Sequence, residues 1–355
     1  MKAIQKISFA DLAVAKRKLK TQFFTQMDTI VDWRPISNLI NKHYLKGSSV
    51  TGKPAYDGLL LFKMCLLQTW YGLSDYEIEA QLNDSISFSK FCGLALDNIS
   101  PDHSTLSRFR TEMTNAGAFE KLFKLMNKQL EKHNIIVKTG AIVDASIIDS
   151  PLRPKGKPLY EIAVDREENE QTNQGSEKQK HEIELIKVQS PGVDTQARWI
   201  KKAGRLRYGY KKHLVTDEEG LILGVLTTAA NLNEIANLEE VLASADLPEN
   251  IALKADKGYQ SQKNGELLKR LKLKNHILKK AKKNRPLTAW ETKFNKLVGR
   301  TRFKVERTFG GIKRWFNSTC ARYRGEAKMH TQNLMEAIAY NLYRSPGIIA
   351  SKLLN

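Results

Sequence analysis

"GAIVDASIID" runs from Gly140 to Asp149, β-branched and nearly all apolar except for its Asp and Ser. Such a run suits a strand buried on both faces, which requires a sheet covered by helices on each side. Side chains alternate along a strand, so Ile142, Asp144 and Ser146 share one face. An aspartate there is costly to bury unless a cation or hydrogen-bond donors neutralise it. "NIALKADKGY" poses the same problem: Asp256 ends an apolar run and a turn follows at once. Aspartates at strand ends in α/β sheets often face a site rather than the core. For each alone, a satisfied polar residue at a strand end explains the sequence equally well.

The rest of the chain supplies the helices. Residues from about 10 to 133 read as helical. "YDGLLLFKMCLLQTWYG" is a buried helix with Asp57 near its start and Gly72 at its end. "SDYEIEAQLN" and "SISFSKFCG" follow as short helices with Ser74 and Ser85 as caps. In "SPDHSTLSRFRTEM", Ser104 is placed to cap a helix that carries Arg108 and Arg110. Short helices with a basic final member suggest a helix-turn-helix, although a plain helical domain would look much the same. Near residue 136 the pattern turns to strands. "YGYKKHLVTDEEGLILGVLTTAAN" reads as a hairpin turning at Asp217–Gly220, and "NEIANLEEVLASAD" as an amphipathic helix capped by Asn231 or Asn233. "NHILKKAKK" is a further strand candidate, and a long helical region closes the chain. The predicted organisation is a helical domain over 1–135, an α/β domain over 136–152 and 206–345, a flexible polar insertion over 153–205 and a tail over 346–355.

The chain has 355 residues, 41% of them apolar, enough for two ordinary domains with a real core. Its net charge is +20, with Lys and Arg spread throughout. A polyanionic partner follows, nucleic acid first. The three cysteines, Cys65, Cys92 and Cys320, are far apart, which speaks against a disulfide framework or zinc site and fits a reducing cytoplasm. The first twenty residues carry no apolar run of a signal peptide, and "LLLFKMCLL" is too short to span a bilayer.

"KVERTFGGIKRWF" holds one carboxylate, Glu306, among Lys304, Arg307, Lys313 and Arg314, with Arg300 and Arg302 upstream. On a helix, Val305, Phe309, Ile312 and Phe316 make the apolar stripe, and Arg302, Glu306 and Lys313 an adjacent one. A surface ion pair between Arg302 and Glu306, about 0.3–0.5 kcal/mol, is the plainest account. Gly310 and Gly311 argue mildly for close approach of another group. Asp144, Asp256 and Glu306 together would form the oxygen-rich pocket that hard divalent cations want. Two such ions would activate the attacking oxygen and stabilise the leaving oxygen of a phosphodiester. The surrounding cations would hold the DNA backbone.

The order Asp, hairpin, Asp, Glu on a late helix is that of an RNase H-like nuclease core. The blocks "VDASIIDSP", "ARWIKKAGRLRYGYKKHLVTDEEGLILGVLTTAANLNE", "ADKGY" and "RFKVERTFGGIKRWFNSTCARYRG" together resemble the DDE transposases of bacterial insertion sequences, most closely the insertion-sequence-five family. The helical part resembles that family's N-terminal domain. The resemblance implies an RNase H-like mixed β-sheet flanked by helices, with an all-helical N-terminal DNA-binding domain. It also implies a cytoplasmic, nucleoid-associated enzyme that cuts and joins DNA at the terminal inverted repeats of a mobile element. Carried over by position, the catalytic and metal-binding triad is Asp144, Asp256 and Glu306, with two Mg²⁺ or Mn²⁺ ions. The family's Arg-x₃-Glu-x₆-Lys signature falls on Arg302, Glu306 and Lys313. Arg302 is then a candidate for positioning the glutamate and metal as well as for holding DNA, and Lys313 for holding a phosphate. Arg307, Arg314, Arg108, Arg110 and Lys211 complete the expected DNA-binding set. A homodimer is expected, because two element ends must be paired. Tyr208 and His213 receive no role, His213 reading as a polar strand residue. Arg307, Gly299 and Glu234 depart from the family's usual His, Tyr and Asp, none of them within the triad. Three rivals stay open: a DNA-binding regulator without chemistry, a nuclease that never joins, and a nucleic-acid coat protein.

Overall fold

The computed structural model describes residues 21–44, 55–95, 98–155, 159–163, 184–188, 192–281 and 285–353. Seven helices come first: α1 (Thr21–Ile30), α2 (Trp33–His43), α3 (Gly58–Tyr71), α4 (Asp75–Asp84), α5 (Ile86–Cys92), α6 (His103–Asn115) and α7 (Ala118–Lys132). Their ends follow local chemistry. Asp57 caps α3, and Gly72 closes it in the left-handed conformation. Ser74 and Glu77 form a reciprocal capping box on α4, and Ser85 caps α5. On α6 the cap is Asp102, which accepts from the Thr105 N–H at 2.6 Å; Ser104, expected there, instead donates to Asp102. A helix apolar on every side must be buried, and α3 is, from Leu60 to Trp70. Its Lys63 escapes by reaching Asp28 at 3.3 Å across the rings of Trp33 and Phe91.

The strands are β1 (Gly140–Asp149), β2 (Leu159–Ala163), β3 (Glu184–Val188), β4 (Arg198–Lys202), β5 (Arg205–Thr216), β6 (Ile222–Ala229), β7 (Ala252–Ala255) and β8 (Lys274–Ile277). They are followed or interleaved by α8 (Leu238–Ala243), α9 (Gln262–Arg270), α10 (Ala289–Trp315) and α11 (Glu326–Leu353). The main sheet has six strands in the order β4-β5-β1-β7-β8, with β6 also pairing β5. Strands β1, β5 and β6 are mutually antiparallel, whereas β7 and β8 continue from β1 in parallel. This mixed sheet with flanking helices is the architecture that an RNase H-like core implies. Helices α8 and α9 make the crossovers that parallel pairing requires. The α8 cap position is Asn237 rather than Asn231 or Asn233; its side chain caps no helix N–H and instead donates to the Asn233 carbonyl at 3.1 Å.

The helical region packs directly on the sheet, one apolar cluster running from Phe24 through β1 and β7 to Ile348. Trp70 donates to the Ala339 carbonyl at 2.9 Å, and Asn127 and Asn341 both bond the Ile222 carbonyl. The 153–205 segment is not all loose insertion, because β4 pairs along β5, and Asp194 is buried beneath the Tyr210 hydroxyl at 2.7 Å. A strand exposed along nearly its whole length carries no apolar alternation to betray it. Residues 164–183, where the polar run lies, fall outside the described residues. Finally, 346–353 is no tail: α11 continues through Pro346 and buries Ile348. Among the described residues no helix is long and apolar enough to cross a membrane.

Candidate active site

Strand β1 is paired with β7 only over Gly140–Val143. Asp144 is therefore the first residue of β1 beyond β7, and Asp256 the first residue after β7 ends. Parallel register thus sets the two carboxylates side by side at the carboxyl end of the sheet, where open α/β sheets bind their ligands.

A single cation bridges them. The Arg302 guanidinium, on α10, lies 3.2 Å from Asp144 Oδ2 through Nη2 and 3.3 Å from Asp256 Oδ1 through Nη1. Its side chain is 11% exposed, and its Nε is buried without a hydrogen-bond partner among the described residues. Arg302 is thus not in an ion pair with Glu306, the arrangement that helical spacing alone suggested. Burial pushes the Asp144 carboxyl above its ordinary range, offset in part by the Ala145 N–H at 2.8 Å and by Arg302. Asp256 and Glu234 add to the upward push on Asp144.

Helix α10 is fixed by its other faces. Val305, Phe309 and Ile312 are buried, and Phe316 continues the stripe past the helix end. The hairpin turn grips it at the level of Glu306: Thr308 donates to the Gly220 carbonyl at 2.7 Å, Arg307 to the Glu219 carbonyl at 3.0 Å, and Lys304 reaches the Glu219 carboxylate at 3.2 Å. Gly220 has φ of +84°, and a Cβ there would meet Thr308 Oγ1 at 2.8 Å. Gly311 lets α11 approach, a Cβ meeting the Tyr340 ring at 3.0 Å, whereas Gly310 faces open space. Glu306 is exposed, one turn beyond Arg302. Lys313, further along, donates to Ser146 Oγ at 2.8 Å, two positions past Asp144 on the same strand face. Burial pushes the Lys313 ammonium below its ordinary range, helped by Arg207, Lys212 and Lys202 nearby.

Two residues of the expected DNA-binding set are committed elsewhere. Arg110 is buried against Asp75, 2.6 Å away, over the Tyr323 ring. Lys211 is 5% exposed, donates to the Leu232 carbonyl at 2.6 Å and lies 3.6 Å from Glu234. Both are held within the fold by these partners. Arg307 is exposed but anchored to the turn, while Arg314 and Arg108 are exposed, the latter resting on Ser104 and Thr105. His213 is fully buried on Thr228, and burial pushes its imidazole down to about 4, so it stays neutral. Tyr208 donates to the Asp194 carbonyl.

Two further groups belong to the site. Lys211 tethers the segment that carries Glu234. A Cβ on Gly258 would lie 3.9 Å from Glu234 Oε2 and 4.0 Å from Asp256 Oδ2, so both carboxylates flank that glycine. The Tyr259 hydroxyl is buried without a partner among the described residues. Burial raises its pKa, and Glu234, Asp144 and Asp256 raise it further. The sequence signal for both was their place inside "TTAANLNE" and "ADKGY".

Two carboxylates are thus gathered on one buried cation at the end of a mixed sheet flanked by helices. Residues 138–342 match the family described as Transposase DDE domain, and residues 13–112 the Transposase domain (DUF772). The chain is 33% identical over 269 residues to the transposase for insertion sequence element IS1106 of Neisseria meningitidis serogroup B, covering 74% of this chain and 86% of that protein. The chain belongs to the DDE transposases of bacterial insertion sequences, enzymes that cut DNA and join strands. Among solved structures it is similar to the Mos1 Strand Transfer Complex, at 10% identity, 86% and 81% coverage of the two chains and a TM-score of 0.20. It is also similar to a Mos1 transposase paired-end complex with left transposon end, at 12% identity, 86% and 82% coverage and a TM-score of 0.20. Overlap this slight transfers nothing from those structures to this chain.

Proposed function

We propose that the chain cleaves DNA at the terminal inverted repeats of its insertion sequence and transfers the freed 3′-hydroxyl into target DNA, with Asp144, Asp256 and Glu306 as the catalytic acids. The observation that carries this reading is the sharing of one guanidinium by Asp144 and Asp256. Two carboxylates from distant parts of the chain already converge on one positive centre, which is the donor arrangement a hard cation needs. Among the described residues no group of three or more His, Cys, Asp or Glu stands at metal-binding spacing. Asp144 and Asp256 would hold such an ion in place of the Arg302 guanidinium, with Glu306 brought to it from the exposed face of α10. Mg²⁺ or Mn²⁺, two ions per site, would supply charge stabilisation to the attacking and leaving oxygens.

This chain's own groups do the rest. Ala145 N–H and Arg302 keep Asp144 ionisable despite burial. Lys313, held beside Ser146, presents an ammonium to a phosphate two positions along the strand from Asp144. The exposed Arg314 and Arg108 add to the non-specific grip of a chain with a net charge of +20. The helices of the Transposase domain (DUF772) region contribute to duplex binding, and two chains pair the two ends. The test supplies pre-cut element ends and a target plasmid in Mg²⁺ and scores joined products. Wild type joins them; Asp256→Asn binds the ends but joins none. A wild-type chain that cuts ends yet never joins pre-cut ones would make it a nuclease instead.

A further inference from the structure

Strands β4 and β5 extend past the end of β1 as a two-stranded ribbon. Arg198 pairs with Gly209, Ile200 with Arg207 and Lys202 with Arg205. By alternation these share one face, which is therefore four cations, one isoleucine and a glycine. The other face carries Trp199 and Tyr208, their rings 5.0 Å apart, with Lys201 and Leu206. Ala203 and Gly204, both at positive φ (50° and 76°), make the tight turn that aligns the two strands. Residues 201–206 are all exposed, Leu206 at 69%.

Like charges directly opposite each other destabilise a β-ribbon, yet Lys202 faces Arg205. Among the described residues neither has an ion pair, nor do Lys201 and Arg198, although Arg198 Nη1 donates to the Thr195 and Ala197 carbonyls. Such an arrangement is relieved by a polyanion laid over it. The ribbon also continues the cationic line from the active site. Lys313 sits on Ser146, and Arg207 and Lys202 act on the Lys313 ammonium. Arg207, held by Asp149 at 2.7 Å, links that line to the ribbon. From Asp144 to the ribbon tip is on the order of 30 Å, about one turn of duplex.

We propose that the β4–β5 ribbon is an arm that grips the phosphate backbone of duplex DNA running from the catalytic acids, through Arg198, Lys202 and Arg205. The inference rests on the reading of Asp144 and Asp256 as the cutting site. The competing account is that these cations guard an open sheet edge against self-association.

The test measures binding of a fluorescein-labelled linear duplex by anisotropy across a salt series. It compares wild type, the pair Lys202→Gln with Arg205→Gln, and a control pair, Lys272→Gln with Lys274→Gln, at the opposite end of the sheet. The ribbon pair is expected to bind more weakly, with a log–log salt slope shallower by about 2. Its deficit should shrink roughly tenfold between about 50 and 200 mM salt. Its melting temperature should not fall, because two opposed charges are removed; the control pair should keep the wild-type slope. Wild-type affinity and slope in the ribbon pair, with or without new self-association, overturn the proposal, as does an equal loss in the control pair. A wild-type chain that ignores duplex altogether overturns the functional reading and the ribbon with it.

Discussion

Asp217 sits in the hairpin turn that grips α10, accepting from the Glu219 and Leu221 N–H groups. Burial pushes its carboxyl from the ordinary 3.8 up to about 6, so the folded state holds this proton more tightly than the unfolded one. The stability this gives is complete below about pH 4 and is lost as pH rises through about 6. Asp217→Asn keeps an acceptor for both N–H groups and cannot ionise. Its melting temperature should gain on wild type steadily from about pH 4 to pH 7; two parallel curves would show that the carboxyl titrates normally. At this scale the sequence was legible where a residue contradicted its own neighbours. Asp144 and Asp256 stood out because each interrupts an apolar strand. Arg110 and Lys211 mark the limit, because a basic residue on a helix or strand looks the same whether it meets solvent or a partner. Asp75 is 35 positions from Arg110, and no local period announces that pair. The Arg302 bridge was hidden for the same reason, its two acids lying 158 and 46 positions away.

Helix α10 carries Arg302, Glu306 and Lys313, and its rotation decides whether they meet the sheet end. That rotation is set on one side by the stripe Val305, Phe309 and Ile312, and on the other by the turn at Gly220. The stripe was legible from its period; the turn's grip was not, since it depends on a backbone approach 88 positions away in sequence. Gly220→Ala imposes a left-handed alanine and a contact of 2.8 Å with Thr308 Oγ1. A loss of about 1–3 kcal/mol in stability is expected, together with weaker cleavage, because α10 must shift. Denaturant melts check the first and end-cleavage rates the second. Unchanged stability with full activity would mean that the turn does not position α10. Strand β4 marks the opposite limit of sequence reading, a strand whose exposed basic side chains resemble those of a loop.

Across the whole molecule, one core joins the N-terminal helices to the sheet, although the two family matches end at residue 112 and begin at residue 138. The change from helical to strand pattern was plain, but pattern does not report which faces pack together. The buried Lys212–Glu336 pair, with Gln332 bonded to Glu336 at 2.8 Å, is one device that fixes α11 across the sheet. This unity matters for function, because α11 backs α10 at Gly311 and so supports the helix that faces the two aspartates. The most direct measurement incubates the protein with duplex carrying the element ends, in Mg²⁺, Mn²⁺ or EDTA, and maps cuts on both strands. Wild type should cut at the element end only with a divalent ion, while Asp144→Asn and Glu306→Gln, binding the duplex normally, should fall by roughly a thousandfold or more. Cutting in EDTA, or undiminished cutting by either variant, would contradict the placement of the chemistry at these acids.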